Sequence, residues 1–188
     1  MFLKRHYPFQ IKISENIRRI MIIGCGGSGK STFARKLGKL TELPVVHLDK
    51  AFWKPNWEEP GKEEWAEKVR QIAAEENWIL DGNYSGTFPI RLERADLVIW
   101  LDRPMPLCLF RVIKRSILNH GKTRPDMGEG CRDRLTLEFI HYIFRFPWDG
   151  RKRIIRKLTD SPFDFEVVQL RTERQICNFL KDFGTKAQ

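Results

Sequence analysis

The residue types best suited to chemistry stand together in one short stretch near the amino end of the chain. An apolar run from Ile20 to Ile23 leads into Gly24, and after four intervening residues Gly29, Lys30 and Ser31 follow in succession. Glycines let a backbone curl so that its N–H groups point inward at an anion. A lysine can then approach the terminal phosphates of a nucleotide, and a serine hydroxyl can ligate Mg²⁺. This spacing predicts a phosphate-binding loop, whose nucleotide contacts would be Gly24, Gly26, Gly27, Ser28, Gly29, Lys30, Ser31 and Thr32.

Three carboxylates come at the ends of short apolar runs that are typical of buried strands. Asp81 is followed by a glycine that leaves room for a ligand, and we predict that it orients Mg²⁺ directly or through water, together with Ser31. Asp49 is predicted to serve the acceptor side, as hydrogen-bond acceptor or general base. A helix cap or a turn is the alternative for both residues, and it is the preferred interpretation for Asp102.

Phosphoryl transfer also needs cations where negative charge develops. The catalytic candidates are Arg111, Arg115 and Arg124, and the sequence does not decide which of them acts. Contacts to an acceptor are predicted for Asp49, Trp53, Asn83, Tyr84 and Arg91. For Trp53, simple packing is an equal alternative. The histidines have no partner at a telling spacing, so a structural role is expected for them.

Strands and helices alternate along the chain, which predicts a parallel sheet covered by helices on both faces, a three-layer α/β/α domain. Ligands bind such sheets beyond the carboxyl ends of the strands. We expect one domain over residues 1–188, an acceptor-binding insertion over about 50–77 and a basic lid over about 115–134. Within these, Lys50 to Gly61 is predicted to be an irregular binding loop. The helix opened by Pro106 is expected to bury Leu109, Val112 or Ile113, and Ile117.

Composition narrows the class of protein. The chain has 188 residues and a formal net charge of +10. Between Arg103 and Arg156, thirteen Lys and Arg stand against five Asp and Glu, a surplus of eight that suits either a nucleic-acid groove or a lid over phosphates. The four cysteines are scattered without a Cys-x-x-Cys pair, which argues against a zinc ribbon or a disulfide scaffold. We expect a cytoplasmic monomer or dimer with no membrane segment.

Several segments together resemble a known family. These are IMIIGCGGSGKSTFARKLG from Ile20, HLDKAFWKPNW from His47, WILDGNY from Trp78, RADLVIWLD from Arg94 and KTRPDMGEG from Lys122. They resemble the bacterial topology modulation proteins (FlaR-like), relatives of adenylate kinase. The resemblance implies a P-loop NTPase fold like that of nucleoside monophosphate kinases, with a five-stranded parallel sheet, an acceptor-binding insertion and an arginine-rich lid. Asn83 and Tyr84 replace the Phe-Pro-Arg that usually follows Asp-Gly in those kinases, so an arginine that holds the nucleoside monophosphate is missing.

Two classes of function compete on this reading. One is an ATP- and Mg²⁺-dependent kinase that acts on a small-molecule or nucleotide acceptor. The other is a nucleotide-dependent DNA-binding protein that affects DNA topology, with a polynucleotide kinase between them. We favour the kinase, because a kinase lid already needs clustered arginines.

Overall fold

The computed structural model describes residues 17–119, 121, 126–128, 130–131 and 135–186. Their five strands are β1 (Arg19–Gly24), β2 (Val45–His47), β3 (Trp78–Asp81), β4 (Leu97–Leu101) and β5 (Glu166–Leu170). The α-helices are α1 (Lys30–Thr41), α2 (Leu48–Phe52), α3 (Lys62–Ala74), α4 (Phe88–Leu92), α5 (Met105–Leu118), α6 (Leu137–Arg145), α7 (Gly150–Thr159) and α8 (Glu173–Lys186). Two short 3₁₀ turns, Pro55–Trp57 and Ser85–Thr87, stand in the connections.

The strands form one parallel sheet in the order β2-β3-β1-β4-β5. The register places Asp81 opposite both Ile22 of β1 and His47 of β2. All five carboxyl ends therefore reach the same rim, where the glycine loop after β1 also lies. The predicted parallel sheet is confirmed.

Both faces of the sheet are covered by helices. On one face Met21 and Ile23 belong to a buried cluster with side chains of α4, α5, α6 and α7. On the other face Ile20 and Ile22 pack with side chains of α1 and α8. Strands buried on both sides read as unbroken apolar runs, because helices exclude water from each face. The chain thus has the predicted three-layer α/β/α architecture.

Two details differ from the sequence-based expectations. The stretch from Lys50 to Gly61 is not wholly irregular, since α2 extends to Phe52 and a 3₁₀ turn spans Pro55–Trp57. The expected inner stripe of α5 is wrong in part. Val112 is buried as predicted, but the other buried positions are Cys108 and Ser116, whereas Ile117 is 72% exposed.

The inner face of α5 uses small side chains because it packs closely on the glycine loop. A Cβ added at Gly27 would collide with the Cys108 carbonyl oxygen and lie 2.8 Å from Val112 Cγ2. Bulky residues were therefore a misleading guide to which face of this helix is buried.

The helix starts follow their sequence signals. A capping box opens α8, since the Gln175 N–H donates to Thr172 Oγ1 (3.1 Å) and the Thr172 N–H donates to Gln175 Oε1 (3.0 Å). Thr136 caps α6 by accepting a hydrogen bond from the Phe139 N–H. Within the residues that the structure describes, the helices are all too short or too polar to cross a membrane.

Candidate active site

The loop between β1 and α1 has the curled backbone that an anion cradle requires. Gly27 and Gly29 adopt positive φ angles of 79° and 97°, which side chains with a Cβ avoid. The loop is closed by a 3.1 Å hydrogen bond from the Ser28 N–H to the Cys25 carbonyl oxygen, and α1 then begins at Lys30. The first N–H groups of α1 and the positive end of its dipole thus face the same space.

Lys30 lies at the mouth of this cradle. Its Nζ donates a 3.0 Å hydrogen bond to the Cys25 carbonyl oxygen. Beneath it two buried thiols, Cys25 and Cys108, share a side-chain hydrogen bond, which together with burial raises the pKa of Cys25. Cys25 is therefore a packed, protonated thiol, consistent with the small filler residue that the loop calls for.

Arginines of α5 approach the cradle from the other side. Arg111 donates to the Ser28 carbonyl oxygen (3.4 Å) and to Glu173 Oε2 (3.3 Å), and Arg115 stands one turn further along α5. Glu173 also binds Arg103 Nη2 at 2.9 Å. Arg111 and Arg115 line the cavity, whereas Arg124 falls outside the described residues, and the catalytic roles of all three stay predictions. Glu173, a partner of both Arg103 and Arg111, carried no signal in the sequence.

The three predicted carboxylates have separate surroundings. Asp49 lies in the first turn of α2, faces the cavity and accepts a 2.8 Å hydrogen bond from the Tyr84 hydroxyl. Asp81 is buried at the end of β3, where Oδ2 lies 2.8 Å from His47 Nδ1 and Oδ1 has no hydrogen-bond partner. Asp102 binds Gln169 Nε2 (2.6 Å) and Arg151 Nε (3.2 Å), so it links β4, β5 and α7 rather than lining the cavity.

His47 has a partner after all. Its Nδ1 contacts the buried Asp81 carboxylate at the end of β3, a contact that the sequence did not predict. The signal was the parallel register of β2 and β3, which a single sequence does not display.

Aromatic side chains form the wall beyond Asp49. Trp53 and Trp57 meet edge to face with ring centroids 5.2 Å apart, and both line the cavity beside Tyr84. Trp57 and Tyr84 have positive φ angles of 66° and 32°, an uncommon conformation for bulky residues that concentrates at functional sites. Burial, and after it the charge of Asp49, raises the pKa of Tyr84, so its hydroxyl remains a donor at neutral pH.

Asn83 connects this wall to the cradle. Its amide exchanges two hydrogen bonds with Gly24, with the Gly24 N–H donating to Oδ1 (3.0 Å) and Nδ2 donating to the Gly24 carbonyl oxygen (2.7 Å). The second Nδ2 hydrogen is directed at the Tyr142 hydroxyl, 3.0 Å away. Asn83 lines the cavity, but its amide is engaged with the end of β1, and its predicted contact to an acceptor stays a prediction.

Arg91 is not placed where an acceptor could reach it. The residue is fully buried in α4, and it donates to the carbonyl oxygens of Gly82 (2.9 Å), Asn83 and Tyr84 (3.1 Å). Burial lowers the pKa of Arg91 to about 9, which still leaves it charged at neutral pH. Its predicted role as an acceptor contact is therefore corrected, because the guanidinium turns inward to satisfy backbone oxygens of the loop after β3.

A cavity of about 970 Å³ brings most of the predicted residues together. The predicted residues that line it are Gly26, Gly27, Ser28, Gly29, Lys30, Ser31, Thr32, Asp49, Trp53, Asn83, Tyr84, Arg111 and Arg115. Gly24, Asp81 and Arg91 stand behind its wall. Sequence reasoning missed a further group of lining residues, among them Asp126, Met127, Thr136, Phe139, Tyr142 and Glu173. Asp126 and Met127 belong to the predicted lid, although no role was assigned to them, and the other four come from helices or helix starts later in the chain.

The comparison with solved structures decides the fold. The shikimate kinase of Acinetobacter baumannii, in complex with shikimate, superposes with a TM-score of 0.53 at 13% identity, over 89% of this chain and 91% of that one. The shikimate kinase of Bacteroides thetaiotaomicron gives 0.52 at 15% identity, over 90% and 97%. The chain has the P-loop kinase fold.

A third solved structure has the same fold. A sugar kinase from Janibacter sp. has a TM-score of 0.51 at 18% identity, and the match covers 92% of this chain and 99% of that one. At such identities the P-loop kinase likeness is one of fold alone. No family model matches the chain, and no curated protein matches it in sequence. The resemblance to the topology modulation proteins therefore stays a prediction.

Proposed function

We propose that the protein is an ATP- and Mg²⁺-dependent kinase that transfers the γ-phosphoryl group of ATP to a small-molecule acceptor. The observation that carries the proposal is the meeting of three elements in one cavity. The glycine cradle with Lys30, the α5 arginines Arg111 and Arg115, and the carboxylate of Asp49 all line it. Phosphoryl transfer requires these parts: a grip on the phosphates, cations for the developing charge and a residue that orients the nucleophile.

Each part has a defined task in this arrangement. The loop N–H groups and Lys30 would hold the β- and γ-phosphates, with Lys30 leaving the Cys25 carbonyl oxygen that it contacts without ligand. Arg111 and Arg115 would approach the transferred group. Asp49 would accept the proton or the hydrogen bond of the attacking acceptor group, while Tyr84 fixes its carboxylate.

The residues present fit Mg²⁺. Ser31 supplies a hydroxyl at the cavity, and Asp81 supplies a buried carboxylate oxygen that has no hydrogen-bond partner. Among the described residues no three His, Cys, Asp or Glu side chains cluster to hold a metal, and phosphate sites commonly bind Mg²⁺ through one or two protein oxygens plus the phosphates. Mg²⁺ bound there would neutralise phosphate charge. The ligand roles of Ser31 and Asp81 are part of the proposal.

The test replaces Lys30 by alanine. Lys30→Ala should lower ADP release at saturating acceptor by at least about 10²-fold, because one preorganised charge donor to the transition state is lost. Lys39→Ala is the matched control, since Lys39 lies in the last turn of the same helix and its side chain is exposed. Circular dichroism checks the fold, and calorimetry with ATP and Mg²⁺ checks donor binding. Unchanged turnover in folded Lys30→Ala protein would refute the kinase proposal.

A further inference from the structure

The carboxylate of Glu173 contacts two arginines beside the glycine cradle. Its Oε2 atom lies 2.9 Å from Arg103 Nη2 and 3.3 Å from Arg111 Nη2, and the residue lines the cavity. A carboxylate acting alone at this place would oppose the binding of phosphates, because like charges repel. Its role therefore depends on the two arginines that it contacts.

The start of α8 holds Glu173 in place. Glu173 is the first residue of this helix, and the capping box of Thr172 and Gln175 fixes the backbone on either side of it. The positive end of the helix dipole also favours a carboxylate in the first turn. Arg103 adds a further restraint, because its side chain is only 6% exposed and a guanidinium removed from water is costly without a paired anion. The carboxylate is thus held in one position, although the Glu173 side chain is 63% exposed.

Arg111 is the residue that this carboxylate holds against the cradle. While its Nη2 atom faces Glu173, its Nη1 atom donates to the Ser28 carbonyl oxygen at 3.4 Å. The same Nη1 atom would lie 3.4 Å from a Cβ at Gly29, the residue that precedes α1. The guanidinium therefore lies against the last residues of the glycine loop. Its side chain is 35% exposed, so the loop does not enclose it and the contact with Glu173 restrains it.

We infer that Glu173 is a positioning residue, which holds the Arg111 guanidinium beside the cradle before a nucleotide arrives. The inference rests on the proposed kinase function, in which Arg111 approaches the transferred phosphoryl group. An unrestrained arginine loses rotamer freedom when it binds a phosphate, and this loss costs part of the binding free energy. Because Glu173 restrains Arg111 in the free protein, more of the attraction to the γ-phosphate remains as net affinity.

Two possible effects of Glu173 on a bound nucleotide have opposite signs. As a negative charge alone, it would disfavour a ligand with a γ-phosphate relative to one without, since the additional phosphate carries additional negative charge. As a positioning residue, it would favour the ligand with the γ-phosphate, since Arg111 is placed for that group. A comparison of ADP with a non-hydrolysable analogue of ATP therefore separates the two effects, and it requires no acceptor.

The experiment measures the dissociation constants of ADP and of the ATP analogue AMP-PNP by calorimetry, with Mg²⁺ and full-length protein. The ratio of Kd for ADP to Kd for AMP-PNP reports the preference for a γ-phosphate. Glu173→Ala should lower this ratio by about 2- to 10-fold, which corresponds to one arginine side chain that must be immobilised on binding. In an Arg111→Ala background the same change should not lower the ratio, because the residue through which Glu173 acts is gone.

Two further variants serve as controls. Asp182→Ala removes an acidic residue that is exposed in the same helix and does not line the cavity, so the ratio should stay unchanged. Glu173→Gln keeps an acceptor oxygen for the buried Arg103, so it tests the inference even if the alanine variant unfolds. A neutral acceptor binds a guanidinium more weakly than a carboxylate does, so the ratio should fall here too, by a smaller factor. Circular dichroism checks that each variant is folded.

An unchanged or higher ratio in folded Glu173→Ala protein would overturn the inference, because Glu173 would then act as a charge alone or not at all. An equal fall in the Arg111→Ala background would overturn it as well, since the effect would not pass through Arg111. Failure of the parent protein to bind either nucleotide would instead count against the proposed kinase function, so the two failures are distinguishable.

Discussion

Replacing Arg91 by methionine should destabilise the protein severely, because the guanidinium satisfies buried backbone oxygens. Methionine keeps the apolar stem but donates no hydrogen bond, so the carbonyl oxygens of Gly82 and Asn83 lose the donors they have in the structure. The Tyr84 carbonyl oxygen still accepts from the Thr87 N–H and hydroxyl. Each buried acceptor left without a donor costs about 1–3 kcal/mol, so two cost about 2–6 kcal/mol.

Arg91→Met also removes a buried charge, which is favourable and offsets part of this cost. We therefore expect a loss of stability in the lower half of the range. Burial lowers the pKa of Arg91 to about 9, which shows that the folded protein disfavours the cation. A loss of about 2–4 kcal/mol remains. For a chain of this size it corresponds to a fall in Tm of about 4–16 °C.

Thermal unfolding followed by circular dichroism, with urea unfolding to obtain the free energy, measures the effect. Arg94→Met is the matched control, since Arg94 lies nearby but is exposed and makes a single 3.3 Å hydrogen bond to the Ala74 carbonyl oxygen. That variant should stay within about 0.5 kcal/mol of the parent. Arg91→Lys should recover only part of the loss, because an ammonium lacks the fork that spans several carbonyl oxygens. A change in Tm below about 2 °C in Arg91→Met would refute the structural role and restore Arg91 as a candidate for substrate contact.

Two further predictions test the cradle and an ion pair that anchors β1. Gly27→Ala should abolish ATP binding and lower the free energy of unfolding by about 1–3 kcal/mol, because the added Cβ meets Cys108 and Val112 at a positive φ. Gly86→Ala is the control and should have neither effect, since Gly86 has open space around it. Normal calorimetric binding of ATP by Gly27→Ala would contradict the packing argument. Burial raises the pKa of Asp96, but hydrogen bonds from the Arg19 side chain and from the backbone N–H groups of Arg18 and Arg19 outweigh it, so the pKa falls below its ordinary value of 3.8. The stability from a depressed carboxyl pKa is complete above the unfolded-state pKa and is lost as the pH falls through the folded-state pKa. Because the pair is partly exposed and screened by solvent, Asp96→Asn should cost about 0.5–1 kcal/mol at pH 7 and progressively less below about pH 4 in urea titrations. A difference that does not depend on pH would argue against the ion pair.

The sequence predicted correctly those features that depend on neighbouring residues or on the pattern of residues along one strand. Spaced glycines before a helix could be interpreted from backbone sterics alone, and the loop from Gly24 to Lys30 has the predicted conformation. Apolar runs revealed the three central strands most clearly, since β1, β3 and β4 are buried almost throughout. Parallel strands bring their ends to one rim, and this is why Asp49 and Tyr84 meet in the cavity.

The sequence pattern did not predict the direction in which individual side chains point. The chemistry of Arg91 suits a substrate contact as well as it suits backbone oxygens, and only the path of the loop after β3 decides between them. His47 finds Asp81 through the register of two strands that are separated by thirty residues of chain. The buried face of α5 carries Cys108 and Ser116 beside Val112, and such small residues do not resemble an apolar stripe.

The segment from Gly82 to Tyr84 links the glycine cradle to the carboxylate of Asp49. Asn83 holds both backbone groups of Gly24, the first residue of the cradle, and Tyr84 holds the carboxylate of Asp49. Arg91 fixes this segment from behind through its carbonyl oxygens. In-line transfer is very sensitive to the separation between donor and acceptor, and misplacement by about 1 Å can cost 10²-fold in rate. In the proposed kinase, Arg91 would thus hold in place the segment that links the cradle to Asp49, and Arg91→Met should lower kcat even where the protein remains folded.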